Sequence, residues 1–291
     1  MTSSTLRKAM MAFYTALFFL YLFGPPIFMS VTAFNTSSYP QAIPFEGFTT
    51  EWFGKLVQDR QMMEGLLNSI IIGVGVTALS VPVGLAAAIL MNQIYHRARG
   101  LFYLITISPM LTPGVIIGIS TVIFWKDMMG LTAVTKALFY KGIILTIFGQ
   151  ASFVSAYCLL IIMARLARFD RSQEEAALDL GASYPQVFWH VLLPFLKPAL
   201  VSAGVIAFLS SFENFNTTTF SILADKTLVT VLAGQVRQGT TPALSALAVI
   251  IISLSLVGAI IYEFMKRREE AAAEQMKENA RLAERGELAV A

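Results

Sequence analysis

Six stretches of the chain are apolar for long enough to cross a lipid bilayer, with polar or charged segments between them: Met10 to Val31, Leu66 to Met91, Leu101 to Trp125, Gly142 to Ala164, Ala199 to Phe220 and Ala243 to Met265. A hydrocarbon layer of about 30 Å needs about 20 such residues as helix. Backbone groups in lipid must bond within their own segment, so helix is the expected form of each. The pattern predicts an all-α membrane protein: a short N-terminus (1–9), a six-helix transmembrane domain (10–265) and a charged tail (266–291) rich in helix formers. Arg7 and Lys8 precede the first stretch as they would precede a signal peptide. Its apolar run is longer than a cleaved segment carries, so it reads as a retained span.

Polar and helix-breaking residues inside this pattern carry information. Pro25, Pro26, Pro82, Pro109 and Pro113 fall within spans and glycines recur at Gly73, Gly75 and Gly84, which together predict kinked, closely packed helices. The fifth span ends in Ser210-Ser211-Phe212-Glu213-Asn214-Phe215-Asn216-Thr217-Thr218-Thr219. A carboxylate at membrane depth costs several kcal/mol unless it meets a partner or water. Glu213 lies one helical turn from Asn216 and Thr217 if the helix continues, and Glu213, Asn214, Asn216 and Thr217 are candidate lining residues of a solute path. The alternative is that the span stops near Phe212 and the run is an outer loop. The loop from Phe34 to Gly65 holds aromatics and predicts an interfacial amphipathic helix near Trp52 to Leu67.

Lysine and arginine set the orientation. Arg7, Lys8, Arg97, Arg99, Arg165, Arg168, Arg171, Lys197, Lys266, Arg267 and Arg268 fall on one side if six spans alternate, and that side is expected to be cytoplasmic with both termini. The opposite loops hold Lys55, Arg60, Lys126, Lys136, Lys141, Lys226 and Arg237, diluted by Glu46, Glu51, Asp59 and Glu64. Composition agrees: 56% of residues are hydrophobic, 13% are charged and the mean hydropathy is +0.68. That balance excludes an ordinary soluble enzyme. The net charge of +3 comes from residues flanking apolar spans and does not form a nucleic-acid groove. There is no G-x-x-x-x-G-K-[ST] loop for ATP. His96, His190 and the lone Cys158 offer no metal-ligand spacing and no catalytic set.

Between the fourth and fifth spans stands Glu175-Ala176-Ala177-Leu178-Asp179-Leu180-Gly181, followed after nine residues by Val191-Leu192-Leu193-Pro194. Ser172 and Glu175 have capping-box spacing, the alanines leave one face small, and Gly181 permits a sharp turn before a second short helix near Ser183 and Pro185. This helix-turn-helix resembles the cytoplasmic coupling (EAA) loop of permease subunits of bacterial binding-protein-dependent ATP-binding-cassette importers. The resemblance assigns ATPase coupling to Glu175, Ala176, Ala177, Asp179, Gly181, Leu193 and Pro194. Over nearly its whole length the chain also looks like the inner-membrane subunits of spermidine/putrescine importers, through Gly47-Phe48-Thr49-Thr50-Glu51-Trp52-Phe53, Ser108-Pro109, Arg165 through Asp170 and Ala177 through Ser183. It departs from them where two neighbouring acids are common and this chain has Glu213-Asn214.

The resemblance implies a permease with no catalysis of its own and no cofactor on the chain. ATP and Mg would belong to two partner ATPase subunits, and a second permease subunit and a periplasmic solute-binding protein would complete the system. The small-molecule substrate would be a polyamine or another amine-containing compound, carried across the bacterial inner membrane. With one acid fewer at Glu213-Asn214, another small organic solute of the same importer class, such as a monoamine, a zwitterion or a sugar-amine conjugate, stays open. An ion-gradient-driven secondary transporter would also explain Glu213 but leaves the coupling loop without a purpose. A purely structural membrane subunit would leave the polar run unexplained.

Overall fold

The computed structural model describes residues 3–129, 141–239 and 241–284; Lys136, placed above in an outer loop, and the end of the tail lie outside them. Among the described residues the secondary structure is helical, with one isolated bridge between Asn35 and Phe48. The chain divides into two compact units, Met1–Gln58 with Gln238–Ala291, and Asp59–Arg237.

In the first unit α1 (Ser3–Ala33) packs against α12 (Pro242–Glu284). Thr32 Oγ1 donates to Ser245 Oγ at 2.7 Å, and Ala33, Trp52 and Ala246 form a small core. Asn35 organises the loop between α1 and α2. Its buried carboxamide donates to the carbonyls of Gln41 and Pro44 and accepts from the amides of Ser37 and Glu46, while its own carbonyl accepts from Trp52 Nε1 at 2.8 Å. The expected interfacial helix over Trp52 to Leu67 is two helices, α2 (Glu51–Gln58) and the start of α3. Asp59 makes the break, because its carboxylate accepts from the amides of Gln61 and Met62 as the N-cap of α3. Trp52 is buried inside its own unit, so it is no lipid-facing anchor. In chain order α11 (Leu228–Gln238) precedes α12, and the tail is a continuous part of α12 through Glu284.

The second unit is built on α3 (Arg60–Gln93), α6 (Gly142–Leu166) and α9 (Leu193–Phe212). Their shared core joins Ile72, Val76 and Ala88 to Val154, Cys158, Leu159 and Ile162, and to Leu196, Ala203 and Ala207. With lipid outside, helices gain little from burying apolar groups and associate through close packing at small residues. At Gly84 a Cβ would stand 2.5 Å from Cys158 Cβ, so the backbones of α3 and α6 touch there.

Among the described residues four helices are long and apolar enough to cross a membrane, or five if a bent pair is one span; the described apolar part of α12, Pro242–Gly258, is shorter. The third predicted span is the bent pair. It is α4 (His96–Leu111) and α5 (Gly114–Met129), which meet at 100°. The residue before a proline is driven out of the helical region, and Thr112 before Pro113 has ψ 134°. Pro109, by contrast, sits inside α4, as Pro82 does inside α3.

Candidate functional site

Two places gather the residues singled out by the sequence. The first is the loop after α6. There α7 (Ser172–Asp179) and α8 (Tyr184–Val187) form the expected helix-turn-helix. The turn is a Schellman motif: Ala182 N–H donates to Ala177 O at 3.0 Å and Gly181 N–H to Leu178 O at 2.8 Å. Gly181 has φ +89°, a conformation that side chains other than glycine's rarely adopt. The capping box is at the second helix, not the first. Ser172 is already inside α7, and its amide and hydroxyl donate to Asp170, which holds that carboxyl below its usual range. At α8, Ser183 is the N-cap and its amide donates to Gln186 Oε1 at 2.8 Å.

Glu175, Ala176, Asp179, Gly181 and Pro194 are exposed, while Ala177 and Leu193 are half-buried. Large apolar side chains stand out around them: Leu180 is 88% exposed, Tyr184 78% and Trp189 62%. The knob therefore presents an apolar surface that a partner can cover. A five-residue π-turn, Phe188–Leu192, joins α8 to α9, and the amide of Leu193 donates to Phe188 O five residues back. Pro194 has no N–H to return the next residues to the α register, and His190 Nδ1 lies 3.0 Å from Gln186 O. Behind α7 is a cavity of about 230 Å³ lined by Asn92, Gln93, Leu166, Phe169, Arg171 and Glu174.

The second place is the polar run after α9, and here the structure corrects the expected row. Helix α9 ends at Phe212 with Glu213 as its C-cap, and a separate helix, α10 (Asn216–Ser221), follows. Hydroxyl and amide side chains compete for the backbone and end the helix. Asn214 Oδ1 accepts from the amide of Thr217 at 3.0 Å, and Thr219 Oγ1 and Ser221 Oγ donate to carbonyls four residues back. Glu213 and Asn216 are exposed, Asn214 is half-buried in its capping role, and Thr217 is fully buried. Glu213, Asn216 and Thr217 thus do not share one helical face.

The α4–α5 bend and the α9–α10 break lie against each other. A Cβ on Gly114 would be 2.9 Å from Thr217 Oγ1 and 3.0 Å from Asn216 Cβ, and one on Gly118 would be 2.6 Å from Thr217 O. From the other side α6 supplies Gln150, which the sequence reading did not single out. Its side chain accepts from Ser211 Oγ and donates to Thr218 Oγ1 at 2.7 Å, so it bridges the end of α9 to α10. Thr146 Oγ1 and Ser221 Oγ add a second link at 2.9 Å. The signal was present in the chain: Gln150 is the only amide side chain in the stretch from Gly142 to Ala164.

Residues 80–270 match the model of the family described as binding-protein-dependent transport system inner membrane component. The chain is 29% identical over 259 residues to the putrescine transport system permease protein PotI of Escherichia coli (strain K12), covering 87% of this chain and 89% of that one. It is 25% identical over 256 residues to the spermidine/putrescine transport system permease protein PotC of the same strain, covering 88% and 92%. In fold it is similar to a chain of a bacterial ABC transporter involved in import of the acidic polysaccharide alginate, with TM-score 0.67, 19% identity, and 90% and 95% coverage. These likenesses set aside the ion-gradient and purely structural readings. The apolar helices and the family match together place the chain among the inner-membrane permease subunits of binding-protein-dependent ATP-binding-cassette importers, the family to which it belongs.

Proposed function

We propose that the chain passes a small cationic amine, a polyamine or a related compound, across the inner membrane as one of two permease subunits. The observation that carries the amine reading is Glu213: an exposed carboxylate at a helix break, with the exposed Asn216 at the start of the next helix. The last-turn carbonyls of α9 add negative potential at that end, which favours a cation. Relatives named for putrescine and spermidine support the same class of solute. A periplasmic solute-binding protein would deliver the solute. Two ATPase subunits, carrying ATP and Mg, would grip the knob formed by Glu175, Ala176, Ala177, Asp179 and Gly181. Their closure would move α7 and α8, and the π-turn with Leu193 and Pro194 would pass that motion to α9, giving alternating access.

The test is uptake of radiolabelled putrescine into proteoliposomes holding the full complex. ATP-dependent uptake is expected in the wild type. Glu213→Gln keeps shape and hydrogen bonding but removes the charge, and should lower uptake about tenfold, the effect of ~1.4 kcal/mol of lost attraction. The ATPase response to loaded binding protein should survive. Unchanged uptake in Glu213→Gln would remove this residue from the solute path.

The lysine and arginine bias supports six spans with both termini and the knob in the cytoplasm. In a Cys158→Ala background, Ser172→Cys and Thr50→Cys are expected to react with an impermeant thiol reagent from opposite sides of the membrane. Labelling of both from outside intact cells would overturn that topology.

A further inference from the structure

We infer that Gln150 is a positioning residue for transport: its carboxamide clamps the two halves of the broken α9–α10 segment and so holds Glu213 and Asn216 at the break. This rests on the reading of Glu213 as part of the solute path.

The break needs such a clamp. Between Phe212 and Asn216 the chain has no regular helix, and a free joint there would let the Glu213 carboxylate wander. Gln150 is 1% exposed and uses both ends of its amide, one toward Ser211 just before the break and one toward Thr218 just after it. Ser211 and Thr218 are themselves 4% and 1% exposed, so water does not compete for these bonds. Thr218 Oγ1 also donates to Asn214 O, which carries the link into the break itself. The opposite face of α10 is closed by backbone contact at Gly118, so the segment is held from two sides. Leaving one of these buried groups unpaired in an apolar surrounding is costly, which favours the bridged arrangement over an open joint. A residue that pins both sides of an irregular joint determines where the exposed side chains between them stand.

The inference separates from its premise by experiment. Thr217 is fully buried and its Oγ1 has no hydrogen-bond partner, so Thr217→Cys in the Cys158→Ala background serves as a reporter with no bond to lose. In the intact complex that thiol should resist N-ethylmaleimide. Adding Gln150→Leu, which is apolar and of similar size, or Thr218→Val, which keeps shape but removes the hydroxyl that accepts from Gln150 and donates to Asn214 O, should speed its labelling about tenfold. Thr218→Ser, which keeps the hydroxyl, should not. Equal protection in Gln150→Leu and Thr218→Val would overturn the clamp.

The second readout, without the reporter cysteine, is putrescine imported per ATP hydrolysed in proteoliposomes. A defect in assembly lowers both quantities in proportion, whereas a displaced path lowers their ratio, here by about fivefold, the scale of one lost buried hydrogen bond. The double variant Gln150→Leu/Thr218→Val should lower the ratio by less than the product of the two single effects, because the two substitutions share the Gln150–Thr218 bond. A normal ratio in Gln150→Leu alongside an impaired Glu213→Gln would overturn the positioning role and leave the path standing. An unimpaired Glu213→Gln, or a wild-type complex that imports no putrescine, would instead overturn the amine reading, with the labelling arm still deciding the clamp.

Discussion

Replacing Gly181 with valine should reduce solute uptake at least tenfold while the permease still inserts and the spans keep their packing. Nothing lies within 4 Å of where a Cβ at Gly181 would stand, so a new side chain meets no obstacle. The effect comes from the backbone alone. A β-branched residue held at φ +89° costs about 1–3 kcal/mol, and the chain relieves that cost by opening the Schellman turn and re-aiming α8 relative to α7. Because α7 has no buried residue of its own, little else holds the knob in shape. Gly181→Asn provides the control, since asparagine tolerates left-handed backbone and should keep most of the uptake. The measurement is ATPase co-purification together with ATP-driven uptake. Normal recruitment and transport in Gly181→Val would mean that this turn does not couple the subunits.

The largest loss of stability is expected at Gly142, the first residue of α6. A Cβ there would be built 1.6 Å from the carbonyl oxygen of Ile222 and 2.4 Å from its carbonyl carbon. Both are backbone atoms of the segment after α10, so no side chain can rotate away and the chain itself must shift. Gly142→Val should destabilise the unit by about 3 kcal/mol or more, in the range of severe overpacking. In detergent that corresponds to a fall in Tm of about 5–10 °C. Gly100→Ala, where a Cβ meets nothing within 4 Å, should leave Tm unchanged. Equal Tm values for the two variants would show that the start of α6 yields more easily than its contacts imply.

Helix, membrane and the position of the helix-turn-helix knob were legible from residue order, because each depends on local chemistry. A backbone surrounded by lipid has to satisfy its own hydrogen bonds, so long apolar runs become helices whatever they pack against. A glycine at a positive φ and a serine at a helix start act within a few residues of themselves, and Gly181 and Ser183 stand where the pattern placed them. The Thr112–Pro113 dipeptide also announces an interruption, since proline restrains its predecessor.

What tertiary structure decided were the features whose cause is distant in the chain. Whether the fifth span continued past Phe212 turned on a competition between helix bonds and side-chain bonds, and the broken form keeps both its ends bound by Gln150, 61 and 68 residues away. Trp52 reads as an interfacial aromatic until Asn35 provides a carbonyl for its indole. Gln150 reads as an isolated polar residue in a span until α9 and α10 close around it. Local patterns record what each segment needs from its surroundings; packing determines which other segment supplies it, and in this chain that supplier joins the ends of the break where the candidate path residues lie.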